Sequence, residues 1–105
     1  MFKLIYDDDF LDDISSLDKS IQKFILDSLD DFTNNFDSEY ENNLIKLKKI
    51  KPLKGDMKGF YRLKLRTYRV VYKKYENRLI IYVVRVRHRN KAYKFMSNLI
   101  DKDID

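Results

Sequence analysis

The sequence predicts an α+β fold, in which an N-terminal helical hairpin packs on a mostly antiparallel four-stranded sheet with a short C-terminal helix. Two observations lead to this prediction. Apolar residues recur at helical spacing between residues 10 and 32, and strand-like alternation dominates residues 52–93. A chain of 105 residues has the size of one domain, so residues 1–105 are expected to fold as a single unit.

The N-terminal part is expected to form one strand and two helices. Residues 2–6 read as a short opening strand, and the aspartates that follow can cap the next helix. Asp18 takes the corresponding position before a second helix. The two helical stripes comprise Phe10, Leu11, Ile14 and Leu17, then Ile21, Phe24, Ile25, Leu29 and Phe32. Residues 33–43 are polar and show no periodicity, which predicts a loop.

Residues 44–51 combine lysines with aliphatic residues and fit either a short helical turn or an extended edge. Pro52 disfavours a helix through that point. Both glycines, Gly55 and Gly59, precede the main sheet and indicate a loop. Toward the C-terminus the pattern returns to helical spacing, which predicts a last helix ending in an acidic tail. Its apolar positions are Tyr93, Met96, Leu99 and Ile100.

The predicted strands carry cations at alternate positions. Because side chains alternate between the two faces of a strand, residues 60–66 divide into an apolar and a basic set. These sets are Tyr61, Leu63 and Leu65, and Arg62, Lys64 and Arg66. The last strand divides into Ile80, Tyr82, Val84 and Val86 on one face and Ile81, Val83, Arg85 and Arg87 on the other. Glu76 and Asn77 read as a tight hairpin turn, since asparagine tolerates a left-handed backbone.

The charge is divided unevenly along the chain. Residues 1–43 hold 3 Lys or Arg against 12 Asp or Glu, which gives −9. Residues 44–105 hold 19 against 5, which gives +14. This asymmetry favours a polyanionic partner, most often nucleic acid. A membrane surface is the weaker alternative, because the basic half resembles strands rather than an amphipathic helix.

The composition also bounds where the protein acts. The chain contains no cysteine, so it can form neither a disulfide framework nor a thiolate metal site. No apolar run approaches the roughly 20 residues that a membrane helix needs. We therefore expect a cytoplasmic protein without membrane segments.

The residues near the end of the basic half suit RNA cleavage. His88, the only histidine, lies among four cations at the end of a predicted strand, and Tyr93 follows closely. The ribose 2′-OH can attack its own phosphodiester when a base, an acid and cations for the charge on phosphorus are present. Nearby cations favour the phenolate form of a tyrosine, and this chemistry requires no metal or other cofactor in principle. The sequence shows no nucleophile motif, glycine-rich phosphate loop or paired metal ligands.

Several motifs of the basic half resemble those of the RelE/ParE superfamily of toxin–antitoxin toxins. They are Pro52-Leu53-Lys54-Gly55, Tyr61-Arg62-Leu63, Tyr68-Arg69-Val70-Val71-Tyr72, and Val86-Arg87-His88-Arg89 followed by Tyr93. Their order and spacing, the helical hairpin before them and the chain length all agree, so the resemblance covers nearly the whole chain.

This resemblance implies a RelE-type mRNA interferase, which cuts mRNA on the ribosome. Lys54 is similar to a loop lysine that stabilises phosphate charge, and Arg66 to a phosphate-binding arginine. Arg89 matches an arginine implicated in transition-state stabilisation or leaving-group protonation. Tyr93 matches a tyrosine that helps to activate the 2′-OH, and His88 can share in that proton transfer.

The sequence departs from the superfamily pattern at one loop position. Pro52 stands where some members carry a second lysine, so Lys49 or Lys51 would have to substitute. The spacing from Arg89 to Tyr93 also differs from that in some members. The other residues expected to contact RNA are Lys49, Lys51, Arg62, Lys64, Arg85 and Arg87.

Structural roles compete with these assignments. Arg69 shares a face with Val71 and can brace the sheet instead of binding RNA. Arg62 and Lys64 can be ordinary solvated residues. Tyr93 can belong to the core of the last helix.

The resemblance further implies the partners. A cognate antitoxin would neutralise the protein by direct contact, and operator DNA would be bound only through that complex. The ribosome and mRNA would be the targets. The alternative is a ParE-like, non-catalytic inhibitor of DNA gyrase, and a third possibility is an inactive or purely RNA-binding relative.

Overall fold

The fold is α+β, as predicted, and within the described residues the sheet has five strands rather than four. The computed structural model describes residues 1–90. The elements in chain order are β1 Lys3–Tyr6, α1 Asp8–Ser15, α2 Lys19–Asn34, α3 Ser38–Lys46, β2 Ile50–Pro52, β3 Phe60–Leu65, β4 Tyr68–Tyr75 and β5 Ile80–His88. The predicted last helix, including Tyr93, lies outside the described residues.

The sheet places the first strand of the chain beside the last. The strand order is β1-β5-β4-β3-β2, with β1 parallel to β5 and the other neighbours antiparallel. Backbone bonds secure this junction: the Lys3 amide donates to the Leu79 carbonyl at 2.6 Å, and the Asp7 amide to the Val83 carbonyl at 2.9 Å. The acidic N-terminal part of the chain is thereby attached to β5, the strand that carries Arg85 and Arg87.

The two predicted helices form where their caps and stripes indicate. Asp7 caps α1, because its carboxylate accepts a 2.9 Å hydrogen bond from the Asp9 amide. Asp18 precedes α2 with extended backbone and makes no side-chain capping bond. The buried apolar residues of the two helices are Phe10, Ile14, Ile25, Leu29 and Phe32. They pack on one face of the sheet, so the helical hairpin is confirmed.

The loop predicted for residues 33–43 is wrong, because a third helix, α3, begins at Ser38. Asp37 caps it by accepting a 2.8 Å hydrogen bond from the Tyr40 amide. The most buried residue of α3 is Glu41, a carboxylate, and the apolar residues that it packs on the core, Tyr40, Leu44 and Ile45, are only partly buried, so its apolar pattern is weak. The two alternatives for residues 44–51 are both realised in part, since the helix continues to Lys46 and strand β2 follows.

A β-bulge changes the predicted faces of the last strand. Tyr72 lies opposite Val83 and Val71 opposite Arg85, so Val84 is an extra residue on β5. Ile81 and Val83 face the helices before the bulge, and Val86 does so after it. The strict alternation predicted for β5 therefore holds on each side of the bulge and not across it.

The turn between β4 and β5 also differs in detail from the prediction. Glu76–Arg78 form a single 3₁₀ turn, and Leu79 rather than Asn77 takes the left-handed backbone, with φ 54°. Within residues 1–90, none of the helices combines the length and apolar composition needed to span a membrane.

Candidate nucleic-acid interface

The face of the sheet opposite the helices carries cations in two neighbouring rows, which we call the basic face. Register places Lys64, Arg69 and Arg87 side by side on β3, β4 and β5. The next row holds Lys51 and Arg62, then Arg85 beyond Val71. The basic face is thus defined by Lys51, Arg62, Lys64, Arg69, Arg85 and Arg87. Five of these six are residues that the sequence nominated for RNA contact, and the fold brings them together.

Arg62 is buried, which corrects the expectation of a solvent-facing residue. Its side chain is 2% exposed. The guanidinium Nη1 donates to the carbonyls of Lys48 and Lys49, at 3.3 and 3.2 Å. These contacts attach the turn before β2 to the sheet, because a guanidinium carries several N–H donors and can bond two adjacent carbonyls at once. Arg62 therefore supports the surrounding lysines and presents almost no charge to solvent.

Arg85 and Arg87 share a carboxylate of α1. Arg85 Nε donates to Asp13 Oδ2 at 2.8 Å, and Arg87 Nη2 lies 3.4 Å from Asp13 Oδ1. The hydrogen bond that Arg85 donates to Asp13 raises the pKa of Arg85 against the opposing effect of burial. Because Asp13 is itself nearly buried, this ion pair holds α1 against β5. Arg85 therefore contributes to the packing of α1 on the sheet.

Arg69 braces the turn between β3 and β4, the structural role considered from the sequence. It is 4% exposed, and its Nη1 donates to the carbonyls of Arg66 and Tyr68 at 3.1 and 3.2 Å. Arg66 occupies this turn with a left-handed backbone, φ 56°. Its guanidinium carbon lies 3.9 Å from the centre of the Phe24 ring on α2, a cation–π contact.

The end of β5 meets the same turn. The Arg89 amide donates to the Thr67 carbonyl at 2.7 Å. This bond holds the backbone of the exposed Arg89 next to the turn that contains Arg66. His88 lies opposite Tyr68, and the two rings pack edge to face with centres 5.5 Å apart. The Asn90 amide donates to His88 Nδ1 at 3.3 Å, so the neutral ring carries its proton on Nε2. We call this group the turn end: Arg66, Thr67, Tyr68, His88 and Arg89.

Lys54 lies at the other end of β3, away from the turn end. Lys54 comes directly after Leu53, whose amide donates to the carbonyl of Phe60, the first residue of β3. Arg66 comes directly after Leu65, the last residue of β3. Strand β3 spans roughly 17 Å between these levels, at about 3.3 Å per residue. Lys54 and Arg66 therefore lie at opposite ends of β3.

Lys49, unlike Lys54, lies near the turn end. Its carbonyl accepts a 2.8 Å hydrogen bond from the Lys64 amide, so the exposed Lys49 sits beside Lys64. Lys51, one strand position further on, lies beside Arg62. Of the two lysines that could substitute for the one missing at Pro52, Lys49 lies nearer the turn end along β3. Tyr93, the remaining candidate, is outside the described residues.

The acidic cluster near the N-terminus has structural partners. Asp7 caps α1 and accepts a hydrogen bond from the Tyr82 hydroxyl, and this bond lowers the pKa of Asp7. The same bond, with burial and the charge of Asp7, raises the pKa of Tyr82 to about 12. Among residues 1–90, no group of three or more His, Cys, Asp or Glu side chains could hold a metal ion.

Sequence reasoning missed two residues of this region. Tyr68 was noted only as part of a motif, and its contact with His88 depends on strand register. Lys48 was not selected at all, although it has a left-handed backbone, φ 62°, and lines a cavity with three basic-face residues. The signal available in the sequence was the clustering of lysines before Pro52. The basic face and the turn end therefore place most of the cations of the second half on the sheet, and cations are the groups that bind a phosphate backbone.

Comparison with known proteins identifies the family and supports the fold. Residues 4–93 match the family described as ParE toxin of the type II toxin–antitoxin system, parDE. No curated protein matches the chain. Three solved structures illustrate its similarity in fold, each at sequence identity below 25%.

The first is a RelB–RelE antitoxin–toxin complex from Methanococcus jannaschii, with TM-score 0.60, 24% identity, 87% of this chain and 96% of that chain covered. The second is the isolated RelE toxin of E. coli, with TM-score 0.59, 20% identity, 94% of this chain and 100% of that chain covered. The third is a YoeB/ParE toxin from Agrobacterium tumefaciens, with TM-score 0.55, 21% identity, 83% and 98% covered. Since the family match spans most of its length, the chain belongs to the ParE toxin family of type II toxin–antitoxin systems, within the RelE/ParE superfamily.

Proposed function

We propose that the protein is a ribosome-dependent endoribonuclease that cleaves mRNA by attack of the 2′-OH on the adjacent phosphate. The observation that supports it best is the meeting of Arg66, His88 and Arg89 at the turn end, where the Arg89 amide is fixed to the Thr67 carbonyl. Cations held on a sheet end stabilise the charge that grows on phosphorus without reorganising during the reaction. The basic face beside them would hold the RNA strand.

The proposed roles follow from position and chemistry. Arg89 stabilises the transition state or protonates the leaving oxygen, and Arg66 contacts a phosphate. Tyr93 activates the 2′-OH, with His88 able to share the proton through Nε2. Lys49 supplies the charge that the resemblance assigned to Lys54. The reaction in this proposal uses no metal or other cofactor.

The partners in this proposal are the ribosome with its mRNA and a cognate antitoxin. Several structural relatives were solved as complexes of RelE with RelB, which supports direct neutralisation by a small antitoxin. The protein would act in the cytoplasm, where translating ribosomes are found. Operator DNA would be contacted only through the toxin–antitoxin complex.

The test is single-turnover cleavage of mRNA on programmed ribosomes. Tyr93→Phe removes one hydroxyl and keeps the ring, so the rate should fall by about 10²-fold or more, the scale of a lost acid–base group. Arg89→Ala should reduce the rate more than ribosome affinity, because its interaction is made mainly in the transition state. A 2′-deoxy residue at the cut site should abolish cleavage; full cleavage of that substrate would exclude the 2′-OH mechanism.

A second function, inhibition of DNA gyrase without catalysis, is favoured by one observation: the matching family is that of ParE. Under this alternative the wild-type protein leaves ribosomal mRNA uncut and inhibits supercoiling by purified gyrase. Tyr93→Phe and Arg89→Ala would then retain full inhibition. The two assays run in parallel on the same preparation decide between the two functions.

A further inference from the structure

The chain places charged residues at backbone positions that favour glycine. Five described residues have positive φ: Lys48, Gly55, Gly59, Arg66 and Leu79. A left-handed backbone is strained for a residue with a Cβ and unstrained for glycine. Two of the three non-glycine residues are cations: Lys48 lines a cavity with Lys64, and Arg66 lies in the turn after β3. Strained positions of this kind concentrate at functional sites, where the side chain is needed.

Lys48 occupies the most clearly glycine-specific of these positions. The Lys49 amide donates to the Leu44 carbonyl and the Lys48 amide to the Ile45 carbonyl, each at 2.9 Å. This pair of bonds is the Schellman motif that ends α3, and Lys48 is its left-handed residue, a place where glycine is usual. The Lys48 side chain is exposed, so packing of that side chain gives no reason for the lysine.

The Lys48 side chain borders a cationic cavity at the β2 edge of the sheet. The cavity has a volume of about 380 Å³. Its lining includes four cations, Lys48, Lys51, Arg62 and Lys64, and three apolar residues, Ile45, Ile50 and Pro52. Arg62, a residue of the cavity lining, donates hydrogen bonds to the carbonyls of Lys48 and Lys49 and so holds the Lys48 backbone in place. A concave site lined by lysines and an apolar wall suits a phosphate with its attached nucleoside.

We propose that this cavity is a phosphate subsite for the RNA strand, and that Lys48 is kept in a left-handed position because its ammonium contacts that phosphate. The proposal rests on the proposed function, for it names where RNA flanking the turn end is held. Lys48 binds and does not take part in the chemical step.

The test compares Lys48→Gly with wild type in binding to a short fluorescein-labelled single-stranded RNA over a range of salt concentrations. Lys48→Gly relieves the backbone strain and removes the charge. We expect the melting temperature to rise by a few degrees and the RNA affinity to fall several-fold. The slope of log affinity against log salt should become shallower by about 0.7, the value for one phosphate contact on a single strand.

Two control variants and a second substitution of Lys48 separate the effect of the charge from the effect of the backbone. Leu79→Gly relieves a left-handed backbone at the far end of the sheet, so it should raise the melting temperature and leave RNA affinity unchanged. Lys19→Asn removes an exposed lysine in the acidic half, and it should change the salt slope little. Lys48→Asn keeps a residue that tolerates the left-handed backbone, and it should lose RNA affinity like Lys48→Gly.

Affinity and salt slope equal to wild type in both Lys48 variants would overturn the subsite. The Lys48 variants are also tested for binding to polyglutamate. If they lose that binding and keep RNA binding, the subsite is overturned in favour of a carboxylate partner. The ribosomal cleavage assay is scored separately. If wild type leaves mRNA uncut while the Lys48 variants lose RNA affinity as expected, the subsite stands and the proposed nuclease activity fails.

Discussion

Asp7 joins three structural elements through one carboxylate. It ends β1, caps α1 through the Asp9 amide and accepts the Tyr82 hydroxyl of β5. The sequence predicted the cap from the position of an aspartate before a helical stripe. The contact with Tyr82 could not be predicted, because it depends on the parallel pairing of two strands separated by most of the chain.

The hydrogen bond between Tyr82 and Asp7 gives a prediction for pH. Since the pKa of Asp7 is lowered in the folded protein, its contribution to stability is present above the ordinary value of 3.8 and is lost as pH falls through the lower folded value. Tyr82→Phe should therefore unfold more easily than wild type at pH 7, and the difference should shrink below pH 3.8. Thermal unfolding of both proteins across this range measures it. A difference that stays constant down to pH 2 would show that Asp7 is not the partner concerned.

The same pair behaves oppositely in alkali. The pKa of Tyr82 is raised from 10.0 to about 12, so its contribution is complete below pH 10 and is lost as pH rises through about 12. The advantage of wild type over Tyr82→Phe should thus vanish above that value. Asp7→Asn serves as the control, because it leaves the tyrosine without its anionic partner and should remove most of the alkaline dependence.

At the scale of elements, α3 depends on one buried carboxylate. Glu41 is 3% exposed. Its Oε2 accepts the Tyr72 hydroxyl at 2.6 Å, and its Oε1 accepts Lys74 Nζ at 2.5 Å. Burial and then the Glu41 charge raise the pKa of Tyr72, so the hydroxyl remains the donor. Burial opposes the charge on Lys74, yet its bond to Glu41 leaves its pKa raised.

Removing that carboxylate should detach α3 from the sheet. Glu41→Ala leaves Lys74 without its main partner and Tyr72 with a buried unpaired hydroxyl, so stability should fall by roughly 3 kcal/mol, the lower end for one member of a buried ion pair. Urea denaturation of the purified protein measures the loss. Glu39→Ala, an exposed glutamate of the same helix, is the matched control and should change stability by less than about 0.5 kcal/mol. Equal effects of the two substitutions would show that the Glu41 network contributes nothing special.

The same helix shows why sequence patterns missed part of the fold. Helices α1 and α2 bury aliphatic and aromatic residues, and their periodicity was readable. Helix α3 buries a charge, and its cap, Asp37, stands among other polar residues that suit a loop equally well. The bulge at Val84 has a similar cause: alternation fixes faces only while pairing stays regular, and the insertion of one residue reverses them.

At the scale of the whole molecule, the division of charge is reproduced in space. The acidic first half supplies β1, α1, α2 and most of α3, and the basic second half supplies four of the five described strands. Charge and strand alternation together therefore selected five of the six residues of the basic face. It could not show that Arg62 is buried, that Asp13 engages Arg85, or that Lys54 lies far from Arg66, since these facts depend on register and loop geometry.

The position of Lys54 gives the last prediction, because it separates a localised RNA site from a general attraction to a basic surface. Arg66→Ala and Arg89→Ala together remove two cations at the turn end, so the salt slope for single-stranded RNA should become shallower by about 1.4, or 0.7 for each contact. Lys54→Ala removes one cation at the opposite end of β3, and the slope should stay at the wild-type value. Fluorescence anisotropy over a salt series measures all three proteins under identical conditions. If Lys54→Ala makes the slope shallower by about 0.7, the value for one phosphate contact, the RNA runs along the whole strand and the turn end is not a distinct site.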